Sequence, residues 1–583
     1  MSEQTFIKGK DRDLESTIET MHAKLQAWDI HVEEASWLNP VPYVHSLHIR
    51  DKECALMFTN GKGAAQKSCL ASALGEFFER MSCNYFFADY YLGEEISNGD
   101  FVHYPNEKWF IDEDEEDEMP EGLLDDDLWE FYDPEDDLEP ENIFDFNSGA
   151  GERGICALPF TRQSDEETIY FPVNIIGNLY VSNGMSAGNS VNEARVQALS
   201  EICERYVKNK IIAEGISLPE IPQEVIARFP HIEESIEQLK THGFNLRISD
   251  ASMGGVFPVI SVTLMNPADG SVLASFGAHP CFEVALERTV TELLQGRGLE
   301  QVDDFTVPSF NRTEVADNHN LVEHFINSTG LISYDFFRKE KDYEFVDWNH
   351  DSDTHTEFDY LCEIIHERDL EIYIADYQHL DVYTCRIIVP GMSEIYPVED
   401  LIWSNNNEGA HYREYLLSLD TLGEEGWESV LENLEDEDLQ DVQKVAEFIG
   451  VAADAGTGWA SLQVGTLKGM LALALEDYEK ALEWNSWSLH IGELSREEKQ
   501  HHQCVNALLK IVLDDEKSYG SYRESLELLY GAKMLQTCVD LVQSKTQFYG
   551  LHFPGLSLEG FTTHQALLGG YKKLHKAKQE NWS

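Results

Sequence analysis

The sequence is poor in basic residues and has no evident cysteine pairs. It contains 42 Lys and Arg against 107 Asp and Glu in 583 residues, which gives a formal net charge of −65. A surface of that sign repels a phosphate backbone, so it argues against direct nucleic-acid binding and favours basic partners or a salt-rich habitat. The ten cysteines are scattered, without a CxxC pair or a His-Cys set at zinc spacing. This pattern predicts reduced thiols in the core rather than a disulfide framework.

Long apolar runs and the common nucleotide-binding motif are also missing. The polar start MSEQTFIKGKDRDLESTIE has no apolar segment of a secretory signal, and no run elsewhere approaches membrane-spanning length. We therefore predict a cytoplasmic protein without membrane contact. The P-loop pattern GxxxxGK[ST] does not occur, and GKGAAQ after Asn60 does not fit the dinucleotide fingerprint. A nucleotide site, if present, must use another plan.

Two regions differ in their periodicity. Up to about Asn405, helical patterns alternate with β-rich runs such as FPVISVTLM and VYTCRIIVPG, which predicts an α+β core over residues 1–405. From residue 406 the β-rich runs stop, which predicts an all-α domain over 406–583 for dimerisation or partner docking. Its segment LEDYEKAL, Leu475 to Leu482, resembles the turn and second helix of a tetratricopeptide repeat (TPR), so we expect a TPR-like module. Within the core, residues 112–141 are dense in acids and prolines and predict a solvated, mobile loop.

One pattern occurs twice along the chain. ALGEFFER, from Ala73 to Arg80, and ALSEICER, from Ala198 to Arg205, share Ala-Leu-x-Glu-x-x-Glu-Arg. Each follows an Asn-Gly segment, TNGKG or SNGMSAG, that predicts a turn before a helix. The repetition suggests that both copies serve the same site.

Helical spacing places the polar residues of each copy on one face. On a helix that begins near Ser190, steps of four, four and three align Glu193, Gln197, Glu201 and Glu204. The first copy aligns Ser72, Glu76 and Glu79 in the same way. A third helix, from Val284, places Arg288 and Glu292 one turn apart. We predict three helices that present acids to a shared site.

The acids admit two interpretations. Glu76 with Arg80, and Glu201 with Arg205, are (i, i+4) pairs that can simply support an exposed helix by about 0.2–0.5 kcal/mol each. Alternatively, helix starts after glycine turns attract phosphate, and carboxylates inside such helices require divalent cations between them and the phosphates. Hard oxygen ligands beside phosphate are the usual setting for Mg²⁺. The duplication favours a magnesium-nucleotide site.

Three spaced motifs are similar to those of the YcaO family of ATP-dependent, amide-activating proteins. They are SxxxExxER at Ser72–Arg80, SNGMSAGNSVNEARVQALSEICER at Ser182–Arg205 and ALERTVTELLQGR at Ala285–Arg297. The resemblance covers most of the first 400 residues and, less sharply, the helical tail. Family members phosphorylate a backbone amide oxygen with ATP, and phosphate leaves as a thiol, hydroxyl or sulfide attacks. The resemblance therefore implies a YcaO-type core with ATP and Mg²⁺ as cofactors.

The resemblance also implies two sets of site residues. The acids that match magnesium-binding positions are Glu76, Glu79, Glu201, Glu204 and Glu292. The residues that match positions around the nucleotide are Lys10, Thr17, Ser72, Ser186, Asn189, Glu193, Gln197, Arg205 and Arg288. Thr17 stands where the family pattern suggests serine, but it keeps the hydroxyl group. No catalytic residue is implied.

Three functions stay open. The resemblance implies an accessory factor for the β-methylthiolation of an aspartate of ribosomal protein S12 by a radical-SAM methylthiotransferase, with the methylthiotransferase or the ribosomal protein as partner and a homodimer formed through the helical tail. A second function is a peptide-backbone modifying enzyme, either a cyclodehydratase or a thioamide-forming enzyme. Peptide-cyclising members commonly end in a proline-rich tail, whereas this chain has no proline after Pro554, which argues against azoline synthesis. The third function is a non-catalytic scaffold.

Overall fold

The computed structural model describes residues 4–111, 119–149, 153–301, 305–436, 439–492 and 494–582. Strands and helices alternate as far as residue 388, and the elements from residue 400 to residue 581 are helices. The predicted order, an α+β core followed by a helical region, is confirmed.

The strands of the described ranges form three antiparallel sheets. Their bounds are β1 Val32–Val41, β2 Val44–Asp51, β3 Phe58–Gly63, β4 Lys108–Phe110, β5 Ile155–Arg162, β6 Thr168–Pro172, β7 Met185–Gly188, β8 Asn245–Asp250, β9 Val259–Met265, β10 Val272–Ala278, β11 Tyr373–Tyr377 and β12 Tyr383–Ile388. The sheet orders are β1-β2-β3, β10-β9-β8, and β4-β5-β11-β12-β7 with β6 paired to β5. The apolar run in β9 is almost wholly buried, as expected of a central strand with a helix on one face.

The helices fall into two groups. Those of the α+β core are α1 Leu14–Ala27, α2 Gln66–Ser82, α3 Gly93–Ser97, α4 Asp126–Tyr132, α5 Val173–Ile175, α6 Val191–Glu214, α7 Gln223–Ile226, α8 Pro230–Thr241, α9 Phe282–Leu293, α10 Arg312–Val315, α11 Asn318–Ile326 and α12 Thr354–His366. Those that follow are α13 Asp400–Trp403, α14 Glu408–Leu416, α15 Leu419–Asp436, α16 Val445–Phe448, α17 Gly458–Ser461, α18 Val464–Ala474, α19 Tyr478–His490, α20 Arg496–Val512, α21 Tyr519–Tyr530, α22 Ala532–Val542 and α23 Thr562–Asn581. Gly423, with a φ of 70°, interrupts α15.

Each of the three acid-bearing helices packs closely on a strand through a glycine. A Cβ atom added to Gly61 of β3 would lie 2.3 Å from a backbone oxygen of α2. A Cβ on Gly188 of β7 would lie 2.7 Å from the backbone nitrogen of Ala194 in α6, and one on Gly277 of β10 would lie 2.4 Å from the side-chain oxygen of Thr289 in α9. The segment Thr59–Gly63 is therefore not the predicted turn but a strand, because its glycines permit the helix to approach rather than the chain to reverse. Of the second segment, SNGMSAG at Ser182–Gly188, residues 182–184 form a turn as predicted, but Met185–Gly188 is the strand β7.

The acidic stretch differs from its prediction. Over residues 119–141 the expected solvated loop is replaced by an anchored segment that contains α4. The carboxylate of Asp125 accepts a hydrogen bond from the Leu128 N–H and so caps α4. Leu128, Tyr132 and Leu138 are buried because the few apolar residues among the acids have a core to join. Residues 112–118 lie outside the described residues.

The helical region contains the predicted TPR-like pair of helices, and part of it packs against the α+β core. The helices α18 and α19 are joined at residues 475–477, so LEDYEKAL does form a turn and the start of a second helix. The last helix, α23, leaves this region and packs into the same hydrophobic cluster as α2. There the rings of Tyr571 and Phe87 meet edge to face, with centroids 4.8 Å apart. Hydrophobic packing therefore continues across the boundary at residue 406, and the boundary itself stays a prediction.

Two predictions from composition can be compared with the structure. All ten cysteines are buried, as expected of core positions, and their thiols are free. Across the described ranges, no helix combines the length and the apolarity that crossing a bilayer requires.

Candidate functional site

A cleft of about 730 Å³ lies where α2, α6 and α9 meet the N-terminal segment and α1. The fourteen residues predicted from the sequence all line this cleft: Lys10, Thr17, Ser72, Glu76, Glu79, Ser186, Asn189, Glu193, Gln197, Glu201, Glu204, Arg205, Arg288 and Glu292. The N-cap Ser190, whose hydroxyl oxygen accepts from the Glu193 N–H at 3.1 Å, fixes the start of α6 where the spacing predicted it. The structure thus brings the whole predicted set together.

Two of the acids have arginine partners on their own helices. The Nη2 atom of Arg80 lies 2.7 Å from Oε1 of Glu76, and that of Arg205 lies 2.5 Å from Oε1 of Glu201. These are the (i, i+4) pairs of the alternative interpretation, and both are present. They lie inside the cleft rather than on an exposed helix face, so helix support alone does not explain their position.

The remaining three acids differ in whether they form an ion pair. Glu292 forms an ion pair with Lys62. Glu79 and Glu204 form no ion pair with any described residue, although Oε2 of Glu204 accepts a hydrogen bond from the Ala278 N–H at 3.2 Å. Two carboxylates in the cleft therefore lack a direct positive partner.

The pKa values of both carboxylates are raised, mainly by burial. Burial, with the negative charges of Glu201 and Glu76, raises the pKa of Glu79 well above its ordinary value. Burial also raises the pKa of Glu204, against the opposing effect of Lys62 and Arg288. A divalent cation relieves such repulsion, and a donor set made of carboxylate oxygens suits Mg²⁺. The residues therefore fit a magnesium site.

Glu193 has a different task from the other acids. Its carboxylate accepts hydrogen bonds from the Asp11 N–H at 2.9 Å and from the Asn189 amide at 3.1 Å, and it lies 3.3 Å from Lys10 Nζ. Burial acts to raise the pKa of Glu193, but Lys10 and these hydrogen bonds lower it overall. Thr17 donates to Asn189 Oδ1 at 2.9 Å. Glu193 is thus an ionised anchor that holds the N-terminal segment and α1 against α6.

The other predicted residues supply polar groups around the cleft. The hydroxyl oxygen of Ser72 accepts from the Lys62 N–H at 3.4 Å, and Arg288 donates to the Ala278 carbonyl at 3.3 Å. Ser186 is buried in β7, and Gln197 faces the cleft from α6. Arg205 keeps its Nη1 atom buried without a hydrogen-bond acceptor in the described part of the chain. An acceptor oxygen, such as that of a phosphate, would complete its hydrogen bonding.

Sequence reasoning missed Lys62 and His279, which also line the cleft. Burial and the charge of Arg288 lower the pKa of Lys62 to about 8. Burial, together with Arg288 and Lys10, lowers the pKa of His279 well below its ordinary value. Lys62 lies in the TNGKG segment that precedes α2, and His279 lies three residues before the start of α9. Neither residue belongs to the spacing pattern of the acids, so that pattern did not indicate them.

Comparison with known proteins gives a consistent result along the whole chain. A family described as YcaO cyclodehydratase, ATP- and Mg²⁺-binding, matches residues 60–393, and the corresponding C-terminal domain family matches residues 409–580. The chain is 54% identical over 584 residues to the ribosomal protein S12 methylthiotransferase accessory factor YcaO of Escherichia coli, with 100% of both chains covered. It is 52% identical over 587 residues to an uncharacterized protein of Haemophilus influenzae, again with 100% of both covered. Among solved structures, YcaO from Methanopyrus kandleri bound with AMPPCP and Mg²⁺ is similar with a TM-score of 0.43 and 19% identity, covering 68% of this chain and 96% of that chain.

Proposed function

The chain belongs to the YcaO family, and from that premise we propose that it binds ATP with Mg²⁺ in the cleft and acts as an accessory factor in the β-methylthiolation of an aspartate of ribosomal protein S12 by a radical-SAM methylthiotransferase. The observation that carries this proposal is the 54% identity, over the full length of both chains, to the Escherichia coli accessory factor. The second support is the cleft itself, whose chemistry suits a nucleotide with divalent cations.

In this proposal the acids of the three helices hold Mg²⁺ and the polar residues around them hold the nucleotide. The magnesium-binding residues would be Glu76, Glu79, Glu201, Glu204 and Glu292. Bound magnesium would neutralise the phosphates and the charge that develops when ATP activates an amide oxygen. Arg205 offers the free Nη1 donor to a phosphate oxygen, and Arg288 and Lys10 add positive charge near it. Glu193 closes the N-terminal segment over the site.

A peptide-backbone modifying enzyme is the second candidate, favoured by the match of residues 60–393 to the YcaO cyclodehydratase family. Such an enzyme would consume ATP in response to a specific peptide. Incubation with cysteine-containing peptides and ATP would then show a mass loss of one water, whereas unchanged masses throughout a broad screen would remove this candidate.

Calorimetric titration of ATP, with and without Mg²⁺, tests the site assignment. We expect magnesium-dependent binding by the unmodified chain, loss of binding in Glu204→Gln, and retention of binding in Glu214→Gln, a matched change on α6 outside the cleft. Failure of the unmodified chain to bind ATP would contradict the assignment.

Mass spectrometry of ribosomal protein S12 tests the accessory role. Cells that carry Glu204→Gln as their only copy should show reduced methylthiolation of the aspartate. Unchanged methylthiolation together with lost ATP binding would instead favour the scaffold.

The proposed partners are the methylthiotransferase or the ribosomal protein in the cytoplasm, and a second copy of the chain through the helical region. The net charge of −65 supports a basic partner. Light scattering of the purified chain, which should give twice the chain mass of 66.4 kDa, tests the homodimer.

A further inference from the structure

A second cavity lies between the end of α2, strand β12 and the last helix, α23. Its volume is about 60 Å³, and it shares no lining residue with the cleft. A buried water occupies about 10–15 Å³ on this measure, so the cavity has room for several waters or for one small ion. Its polar lining includes Asn84, His103, Asp145 and Arg386, none of which is more than 9% exposed.

The unsatisfied polar atoms of this lining are donors. Neither Nε of Arg386 nor Nδ2 of Asn84 has a hydrogen-bond partner within the described ranges. The other groups of these side chains are engaged, since an Arg386 Nη2 atom donates to the Val181 carbonyl and Asn84 Oδ1 accepts from Lys578 Nζ. A buried donor without an acceptor costs about 1–3 kcal/mol. The cavity is therefore short of acceptor oxygens.

A second basic group lies beside the cavity, and burial lowers its pKa well below the ordinary value. Lys578 of α23 is fully buried, and its Nζ atom donates to Asn84 Oδ1 and to the His103 carbonyl. The same atom lies 4.1 Å from the centre of the Tyr104 ring. Neither Lys578 nor Arg386 forms an ion pair with a carboxylate of the described chain.

The neighbouring acids are already committed to other groups. Asp145 Oδ2 lies 2.8 Å from His103 Nε2, and the two form a buried ion pair. The carboxylate of Glu107 accepts from the backbone N–H groups of Val102, His103 and Tyr104. These carboxylates do not supply an acceptor to Arg386 Nε.

We propose that this cavity is a binding site for one small oxyanion of the size of sulfate or inorganic phosphate. The anion accepts from Arg386 Nε and Asn84 Nδ2, and its charge balances that of Arg386. A cavity of about 60 Å³ is too small for nucleotides and phosphopeptides. The site therefore differs from the ATP cleft in its location, its charge and its ligand, and it links the end of α2 to α23 through a bound ion.

Calorimetric titration of the full chain with sodium sulfate and with inorganic phosphate, in a chloride buffer, tests the proposal. We expect one binding site in the unmodified chain and at least a tenfold loss of affinity in Arg386→Met. Lys572→Met, which removes an exposed lysine of the same helix α23, is the matched control and should bind as the unmodified chain does. No binding by the unmodified chain would mean that only water fills the cavity, and undiminished binding by Arg386→Met would place the anion elsewhere. Either result overturns the proposal.

Asn84→Asp gives a second test, which stays valid even if Arg386→Met does not fold. The new carboxylate supplies the missing negative charge from within the chain, and aspartate tolerates the φ of 60° at this position. This variant should bind no sulfate, and its melting temperature in anion-free buffer should equal or exceed that of the unmodified chain. Retained sulfate affinity in Asn84→Asp would count against the proposed site.

Discussion

Replacement of Glu79 by glutamine should stabilise the ligand-free protein and abolish the stabilisation that Mg²⁺ and ATP provide. Glu76 and Glu79 are three residues apart on α2, so their side chains lie about 6 Å from each other. Two unit charges at that separation repel by about 3 kcal/mol at an effective dielectric constant of about 20. Arg80 and Arg205 offset part of this repulsion. We expect the free energy of unfolding to rise by about 1–2 kcal/mol in Glu79→Gln at neutral pH.

The pH dependence of this gain follows from the direction of the pKa shift. The pKa of Glu79 is higher in the folded protein than in the unfolded chain. The ionised side chain therefore opposes folding at neutral pH, and this penalty is absent below the unfolded pKa of about 4.3. The advantage of Glu79→Gln should consequently vanish near pH 4 and grow as the pH rises.

Differential scanning calorimetry at several pH values, with and without Mg²⁺ and ATP, measures both effects. Ligand at one hundred times its Kd should stabilise the unmodified chain by about 2.7 kcal/mol and leave Glu79→Gln unchanged. Glu214→Gln on α6 controls for loss of a glutamate outside the cleft. A less stable Glu79→Gln at neutral pH, or one that keeps the full ligand-induced gain, would refute the reasoning.

Three further predictions follow from the described contacts. Gly61→Ala in β3 should destabilise the protein by about 3 kcal/mol or more in denaturant titration, because the added Cβ would lie 2.3 Å from the Cys69 carbonyl of α2. Gly75→Ala in α2 meets no atom within 4 Å and should instead stabilise the protein. The affinity for magnesium and ATP should fall as the pH is lowered through the raised pKa values of Glu79 and Glu204, since protonation removes the charge that attracts the cation. Calorimetry that shows constant affinity from neutral pH down to the ordinary pKa of a glutamate would contradict this. A chain that stops after residue 561 lacks α23 and should melt at a clearly lower temperature, because the apolar side chains of α2 lose their cover; an unchanged melting temperature would show that α23 is dispensable.

The features that local sequence determines were predictable. The face of α6 that carries Glu201 and Glu204 follows from the helical period, and the start of this helix follows from the N-cap residue Ser190. The recurrence of the same spacing in α2 then indicated that Glu76 and Glu79 belong to the same site. Lys10, Thr17, Ser186 and Asn189, which also line the cleft, were predicted only through the resemblance to the YcaO family. Their roles as ligands remain a prediction.

The features that depend on distant partners were not predictable from the sequence. TNGKG has the composition of a turn, and only the closeness of α2 explains why Gly61 lies in a strand. The acidic stretch gave no sign that Leu128 and Tyr132 would find a core, since the residues that bury them come from other parts of the chain. The position of Lys62 in the cleft likewise depends on how β3 lies against α9, which no local pattern records.

The return of α23 to α2 has a consequence for how the chain matures. Phe77 and Phe87 meet Tyr571 and Leu567 in one hydrophobic cluster, although about 490 residues separate the two segments. At a synthesis rate of about 5–20 residues per second, the apolar face near α2 stays uncovered for about 25–100 s, until α23 has been synthesised. During that interval the nascent chain exposes a hydrophobic surface that a chaperone would recognise. The helix that carries Glu76 and Glu79 gains its full support only after translation is nearly complete, so a truncated or stalled chain should be a target for proteolysis rather than a partially active protein.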